Sequence, residues 1–241
     1  MKLSYGIEGP IGTITLTNPP HNLLVHPVFE NLATLRAFLE REELKAVIVR
    51  GDGRNFCGGA DLEALRIQSA REDFPQLLDG GKRLLEALSG ATIPVAAAIR
   101  GSCLGAGLEI ALACHFRFAA STALLGFPET ERGLMPGFGG TALRDPPVRR
   151  GLLLDLVLSG KMIGGEEAKA IGLVDGCGPP DAIEALAAEK LGRLTSGRPA
   201  HLVRAVMTAM RNARRLPREE ALREESVIFH RVVRRSVDEG A

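Results

Sequence analysis

Twice in the first half of the chain a short apolar run leads into a glycine-rich turn, and the turn leads into a helical stretch. The first run is residues 46–49 (AVIV), followed by GDGRNFCGGAD and a helix-like stretch that begins near Leu62. The second is residues 93–99, followed by the turn 101–107 and a helix-like stretch over 109–114. Continuous apolar runs of this length predict buried, parallel strands. A helix start presents unpaired N–H groups and a partial positive charge, and glycine lets a ligand atom approach the backbone closely. Two such turns aimed at one point would place two N–H groups on one carbonyl oxygen as an oxyanion hole, where one donor is typically worth about 2.7–4 kcal/mol. The plain alternative is a pair of structural glycine corners. Of the 28 glycines, 12 lie in residues 51–59, 101–107 and 126–140.

The rest of the pattern is α/β in the N-terminal part and helical almost throughout beyond residue 149. Residues 11–16 (IGTITL) alternate as a strand does. Leu32, Leu35 and Leu39 recur at helical spacing after Val28, and Leu77, Leu78, Leu84, Leu85 and Leu88 mark a further helix. Residues 116–119 and 123–125 read as short strands, whereas 126–140 is too rich in Gly and Pro for one regular element. Helices are predicted over 151–158, 166–171, 181–195, 199–214 and 218–236, the last with Leu222, Ile228, Phe229, Val232 and Val233 as its apolar face. The nearest thing to a boundary is Gly176-Cys177-Gly178-Pro179-Pro180, which divides a core of residues 1–176 from a helical region of 177–241.

Several functions are excluded. No GxGxxG follows either strand, no GxxxxGK[ST] occurs, and no GxSxG elbow occurs. The Cys and His spacings give no zinc pattern. With no Trp and one Tyr, stacking platforms for single-stranded nucleic acid are poorly supplied. Four cysteines in 241 residues do not make a disulfide scaffold. No basic and apolar signal segment opens the chain and no run of 18 apolar residues occurs, so a soluble, cytoplasmic protein is expected. The net charge of +1 hides an asymmetry, because residues 190–241 hold 12 basic and 6 acidic side chains. That basic end is either a solvated helical face or a contact with something anionic.

Four segments in order, FCGGADL (56–62), GSCLGAGLEIALAC (101–114), GFPETERGLMPGFGGT (126–141) and SGKMIGGEEAKAIGLVD (159–175), resemble the signatures of the crotonase, or enoyl-CoA hydratase/isomerase, superfamily. The resemblance spans about residues 5–240. It implies a spiral of repeated ββα units with an α-helical C-terminal oligomerisation region, assembling as a homotrimer or homohexamer. It also implies an acyl-CoA thioester substrate, held by the N–H groups of Ala60 and Ala106, and enolate stabilisation. Coenzyme A is part of the substrate, so no cofactor or metal is implied, and neither a membrane nor a nucleic acid is an expected partner. Glu109 and Glu129 fall where the family's hydratases carry two acid/base glutamates. Contacts to the substrate are expected from Asn22, Leu23, Leu24, Gly58, Asp61, Leu62, Gly105, Pro136 and Gly137. Arg204, Arg211 and Arg214 are candidates to meet the CoA phosphates.

Two carboxylates suit syn addition of water across a 2,3 double bond, since one can deliver a proton at C2 while both orient the water attacking C3. Glu129 is the preferred donor. The plain readings are a carboxylate favoured by a helix dipole at Glu109 and a solvated turn residue at Glu129. A Δ3,Δ2-enoyl-CoA isomerase or another enolate-forming lyase or hydrolase is the alternative enzyme. A non-catalytic CoA-thioester or RNA-binding protein is the alternative outside catalysis. Glu131 reads as surface, His115 as structural, and Cys57 and Cys103 as small apolar fillers. His230, on the last predicted helix, is a weaker catalytic candidate; His21 and His26 carry no assigned role. The stretch Ala142-Leu143-Arg144-Asp145-Pro146-Pro147 departs from the family's pattern after Thr141. The chain ends at Glu239-Gly240-Ala241 without the lysine-rich tail common in relatives, so the C-terminal edge of the acyl pocket is expected to differ.

Overall fold

The computed structural model describes residues 2–25, 32–143 and 146–238. Val28, His26, Arg144, Asp145 and the final Glu239-Gly240-Ala241 lie outside the described residues. A six-stranded sheet is ordered β1 (Lys2–Glu8), β2 (Ile11–Thr17), β3 (Ala46–Gly51), β4 (Val95–Ile99), β6 (Phe116–Ala120), β9 (Gly176–Gly178). Only β1 and β2 are antiparallel; β2 through β9 run parallel. A second sheet joins β5 (Ser102–Leu104), β7 (Leu124–Gly126) and β8 (Met162–Gly164), and Cys57 extends it by a parallel bridge to Cys103.

The repeat follows from these two ladders. The strands β3, β4 and β6 of the large sheet are each followed by a short strand or bridge in the second sheet, and then by a helix. The first unit is β3, Cys57, α2 (Leu62–Ser69) and α3 (Phe74–Ser89); the second is β4, β5 and α4 (Ala106–Ala113). The third is β6, β7 and, after the Gly- and Pro-rich turns, α5 (Arg150–Ser159). Successive units step one place along both sheets, which is the expected spiral of ββα units.

Burial explains the composition of the elements. β3 is buried at five of six positions and β4 at all five, as expected of parallel strands covered on both faces. α1 (Leu32–Leu39) buries Leu35, Phe38 and Leu39, each worth about 1.5–3 kcal/mol of hydrophobic stabilisation when fully covered. Every residue of α4 is buried, so the helix is apolar all round except for Glu109.

The C-terminal part is not wholly helical. β8 and β9 interrupt it, each only three residues long and each rich in glycine. They form because neighbouring strands offer a free edge: β8 pairs with β7 and β9 with β6. Around them lie α6 (Gly165–Ala170), α7 (Ile183–Thr195), α8 (Ala200–Arg215) and α9 (Arg218–Asp238). α7 packs on β3, β4 and β6, whereas α9 packs mainly on α8. Among the described residues no helix is long and apolar enough to cross a membrane.

Candidate active site

The parallel strands deliver their C-terminal ends to one side of the sheet, where ligand crevices of parallel sheets lie. After Gly51 the chain turns through 52–55 and re-enters beside the end of β4. Phe56 N donates to Arg100 O (2.8 Å), Cys57 N to Ser102 O (2.9 Å) and Leu104 N to Cys57 O (3.0 Å). This ladder lays Gly58-Gly59-Ala60 along Gly105-Ala106. Gly59 has φ +97°, and a Cβ there would stand 2.9 Å from Leu104 O and 3.9 Å from Ala106 N, so only glycine allows the approach. At Gly107 a Cβ would strike the Cys57 carbonyl.

Both expected donors keep an N–H without a protein acceptor among the described residues. Leu24 pairs with the strand end through Leu24 N to Gly59 O (2.8 Å) and Asp61 N to Leu24 O (3.0 Å), which leaves the Ala60 N–H outside the pair. Ala106 opens α4, and a first-turn N–H has no carbonyl four residues back. Ala60 and Ala106 line one cavity of about 580 Å³.

Glu109 and Glu129 line the same cavity. Glu109 is 2 % exposed. Its carboxylate accepts from Phe138 N (3.0 Å to Oε1) and Gly140 N (2.5 Å to Oε1). Those donors favour the charged form, but burial outweighs them and the neighbouring Glu129 charge adds to burial, so the Glu109 pKa is pushed up to about 7. Burial also raises Glu129, opposed by backbone donation and by the Arg132 charge. The Glu129 Oε2 is buried and has no hydrogen-bond partner among the described residues. Gly105 (φ +51°) makes room for this carboxylate, since a Cβ there would collide with Glu129 Oε1.

The remaining expected contacts divide. Gly58, Leu62, Gly105 and Gly137 line the cavity with Ala60, Ala106, Glu109 and Glu129. Asn22, Leu23, Leu24, Asp61 and Pro136 do not. The Asn22 side chain is fully buried and donates to the carbonyls of Asp52 and Asn55. Leu23 packs against Gly58, and the Asp61 carboxylate caps α2 by accepting from Ala64 N (2.9 Å). Pro136 is buried.

The arginines correct an expectation. The Arg204 guanidinium donates to the carbonyls of Leu39 (3.3 Å) and Arg41 (2.6 Å) and to Thr92 Oγ1 (2.9 Å). Arg211 donates to Gly90 O (3.4 Å), and the Arg214 charge acts on His115. Residues 39–44 and 90–92 precede β3 and β4, at the end of the sheet opposite the cavity. Arg204 and Arg211 therefore serve orphan carbonyls there and do not face this chain's own site. The cations that border the cavity are Arg66 and Arg132, which sequence reasoning did not single out.

His115 accepts from Val95 N at Nδ1 (3.0 Å). Burial, with the Arg214 and Arg117 charges, pushes its pKa down to about 4, so it is a neutral structural side chain. Burial pushes the Cys57 thiol up to about 12 and raises Cys103 as well, which suits small fillers and not nucleophiles. Glu131, His21 and His230 are exposed. Sequence reasoning also missed the N–H groups that hold Glu109, whose one signal was the glycine cluster at 137–140. The apolar lining comes from Leu65, Phe74, Leu78, Leu134, Met135 and Phe138, whose helical and loop contributions meet only in the fold.

The family model described as enoyl-CoA hydratase/isomerase matches residues 6–241. A probable enoyl-CoA hydratase of Bacillus subtilis is 37% identical over 173 residues, covering 71% of this chain and 67% of the relative. A glyoxysomal fatty acid beta-oxidation multifunctional protein of Cucumis sativus is 36% identical over 184 residues, covering 75% of this chain but 25% of that protein. The chain thus spans about two thirds of the first relative and a quarter of the second. Among solved structures, an enoyl-CoA hydratase of Bacillus anthracis superposes with a TM-score of 0.86 at 30% identity, covering 96% of this chain and 91% of the other. One from Polaromonas sp. gives 0.85 at 26% identity, with 96% and 91% covered. With the family model matched over residues 6–241 and a relative 37% identical over 173 residues, this protein belongs to the enoyl-CoA hydratase/isomerase family.

Proposed function

We propose that the chain adds water syn across the 2,3 double bond of an enoyl-CoA thioester, giving the 3-hydroxyacyl-CoA. The observation that carries this reading is the shared cavity of Ala60, Ala106, Glu109 and Glu129, with two N–H groups and a buried carboxylate oxygen that have no partner among the described residues. The thioester oxygen accepts from the Ala60 and Ala106 N–H groups. As the water oxygen joins C3, the electron pair of the double bond moves toward that oxygen, where the two donors stabilise the enolate. Glu109 and Glu129, both raised by burial, share one proton between them. Glu129 delivers a proton to C2, since its Oε2 has no hydrogen-bond partner among the described residues. The water surrenders one proton to the pair, so the pair ends with the proton count it started with.

The test is loss of the enone absorbance of crotonyl-CoA and longer enoyl-CoAs. A protein that binds CoA thioesters and hydrates none of them overturns the reading. One observation favours a second chemistry: the Glu109 carboxylate is already engaged by two N–H groups, leaving Glu129 as a single free base for Δ3,Δ2-isomerisation. Glu109→Gln separates the two, because hydration collapses while a one-base isomerisation survives.

Within residues 177–241 the oligomerisation role falls to α8 and α9, because α7 is packed on the central sheet. Met210 (64 %), Phe229 (67 %) and Val237 (72 %) stand exposed on these two helices. Such faces are what a second copy would cover, and a homotrimer or a pair of trimers is the assembly we propose.

A further inference from the structure

The two donors belong to two different turns, so something must fix one turn against the other. The backbone ladder from residue 56 onward does part of this. Its first rung is unusual. In a regular parallel ladder the Ser102 N–H would donate to the backbone carbonyl of residue 55. That carbonyl instead accepts from Asn22 Nδ2 (2.8 Å). The Asn55 side chain takes its place: Oδ1 accepts from Ser102 N (3.0 Å), and Nδ2 donates to Pro20 O (2.9 Å). Gly101, at φ +53°, leaves the space this requires, since a Cβ there would lie 2.5 Å from Asn55 Oδ1. One amide side chain therefore joins the first turn, the second turn and the N-terminal loop.

We propose that Asn55 is a positioning residue that sets the separation of the two N–H donors, a proposal that rests on reading Ala60 and Ala106 as an oxyanion hole. Asn55 stands five residues before Ala60, and Ser102, whose N–H its side chain accepts, stands four before Ala106, so the contact lies at the base of both turns. Without its Oδ1 the Ser102 N–H loses its acceptor and the second turn is free to slide along the first. Oxyanion donors work over a narrow range of about 2.7–3.1 Å, so a slip well below one residue is enough to uncouple one of them.

Asn55→Ala is expected to lower kcat for crotonyl-CoA about 10- to 100-fold, the scale of a 1 Å misplacement, with KM changed less than about threefold. The direct readout is the 13C-labelled carbonyl stretch of bound butanoyl-CoA, which has no double bond to hydrate. Two donors lower that frequency in the wild type; in Asn55→Ala it should move back toward the free ligand's value. Asn55→Asp keeps the acceptor for Ser102 and should recover most of the shift and of kcat. Wild-type kcat in Asn55→Ala, a reduced kcat with a wild-type carbonyl stretch, or equal loss in both variants overturns the proposal. A lowered stretch in a wild type that hydrates nothing, restored toward the free value in Asn55→Ala, overturns the hydratase reading and keeps the clamp. Normal hydration that ignores Asn55→Ala does the reverse.

Discussion

Glu109 is the one charged residue on a helix whose eight positions are all buried. A carboxylate there is costly unless it is hydrogen-bonded or protonated, and it is partly both. Its pKa rises from 4.5 to about 7, so the folded protein binds a proton that the unfolded chain has released between those values. The stability this gives is fully present below about pH 4.5 and is lost as pH rises through about 7. Replacing the carboxyl by an amide removes the penalty of the charged form. Glu109→Gln should unfold in urea close to wild type at pH 4.5 and later than wild type at pH 8, by on the order of 3 kcal/mol. Hydration should move the other way: Glu109→Gln and Glu129→Gln should each lose about 10²–10⁴ in kcat, read from crotonyl-CoA turnover. The positions of both glutamates were legible from the resemblance of the motifs around them to the family's. The Phe138 and Gly140 N–H groups were not, because they reach Glu109 from 29 and 31 residues away.

At the scale of elements, α8 shows what a basic helix is for. Arg204 reaches across to the carbonyls at the end of α1 and to Thr92, a cap supplied from elsewhere in the chain for groups that a helix end leaves unpaired. Arg204→Ala should lower stability by about 1–3 kcal/mol and leave the KM for CoA thioesters unchanged at low salt, measured by thermal unfolding and kinetics side by side. The second turn makes a different demand. Gly105→Ala places a Cβ on the Glu129 carboxylate at a positive φ, so kcat should fall by more than about 100-fold while the fold loses only about 1–2 kcal/mol. The buried strands and amphipathic helices were legible because one face or both meet the core. β1 was not, since most of it is exposed on an edge. β8 and β9 were not, since three residues carry no period and exist only through the strands they pair with.

For the whole molecule, the spiral brings its site together from turns that close early in each unit and from a glycine-rich stretch outside the regular elements. The motifs made that order legible, while the direction of the arginines was not, because a basic helix reads the same whichever end of the sheet it faces. Light scattering should give a mass three or six times 25.7 kDa, and Phe229→Glu on α9 should reduce it to the monomer. A wild-type monomer at micromolar concentration would leave α8 and α9 without the partner copy assigned to them.

Phe138 contributes its side chain to the acyl cavity and its N–H to Glu109. One wall of the cavity and one support of the Glu109 carboxylate are thus mechanically one part. On the proposed hydratase reading, substitutions that reshape this wall for a longer or bulkier chain should also disturb Glu109. Selectivity and turnover would then change together unless a second substitution at 137–140 restored its N–H donors.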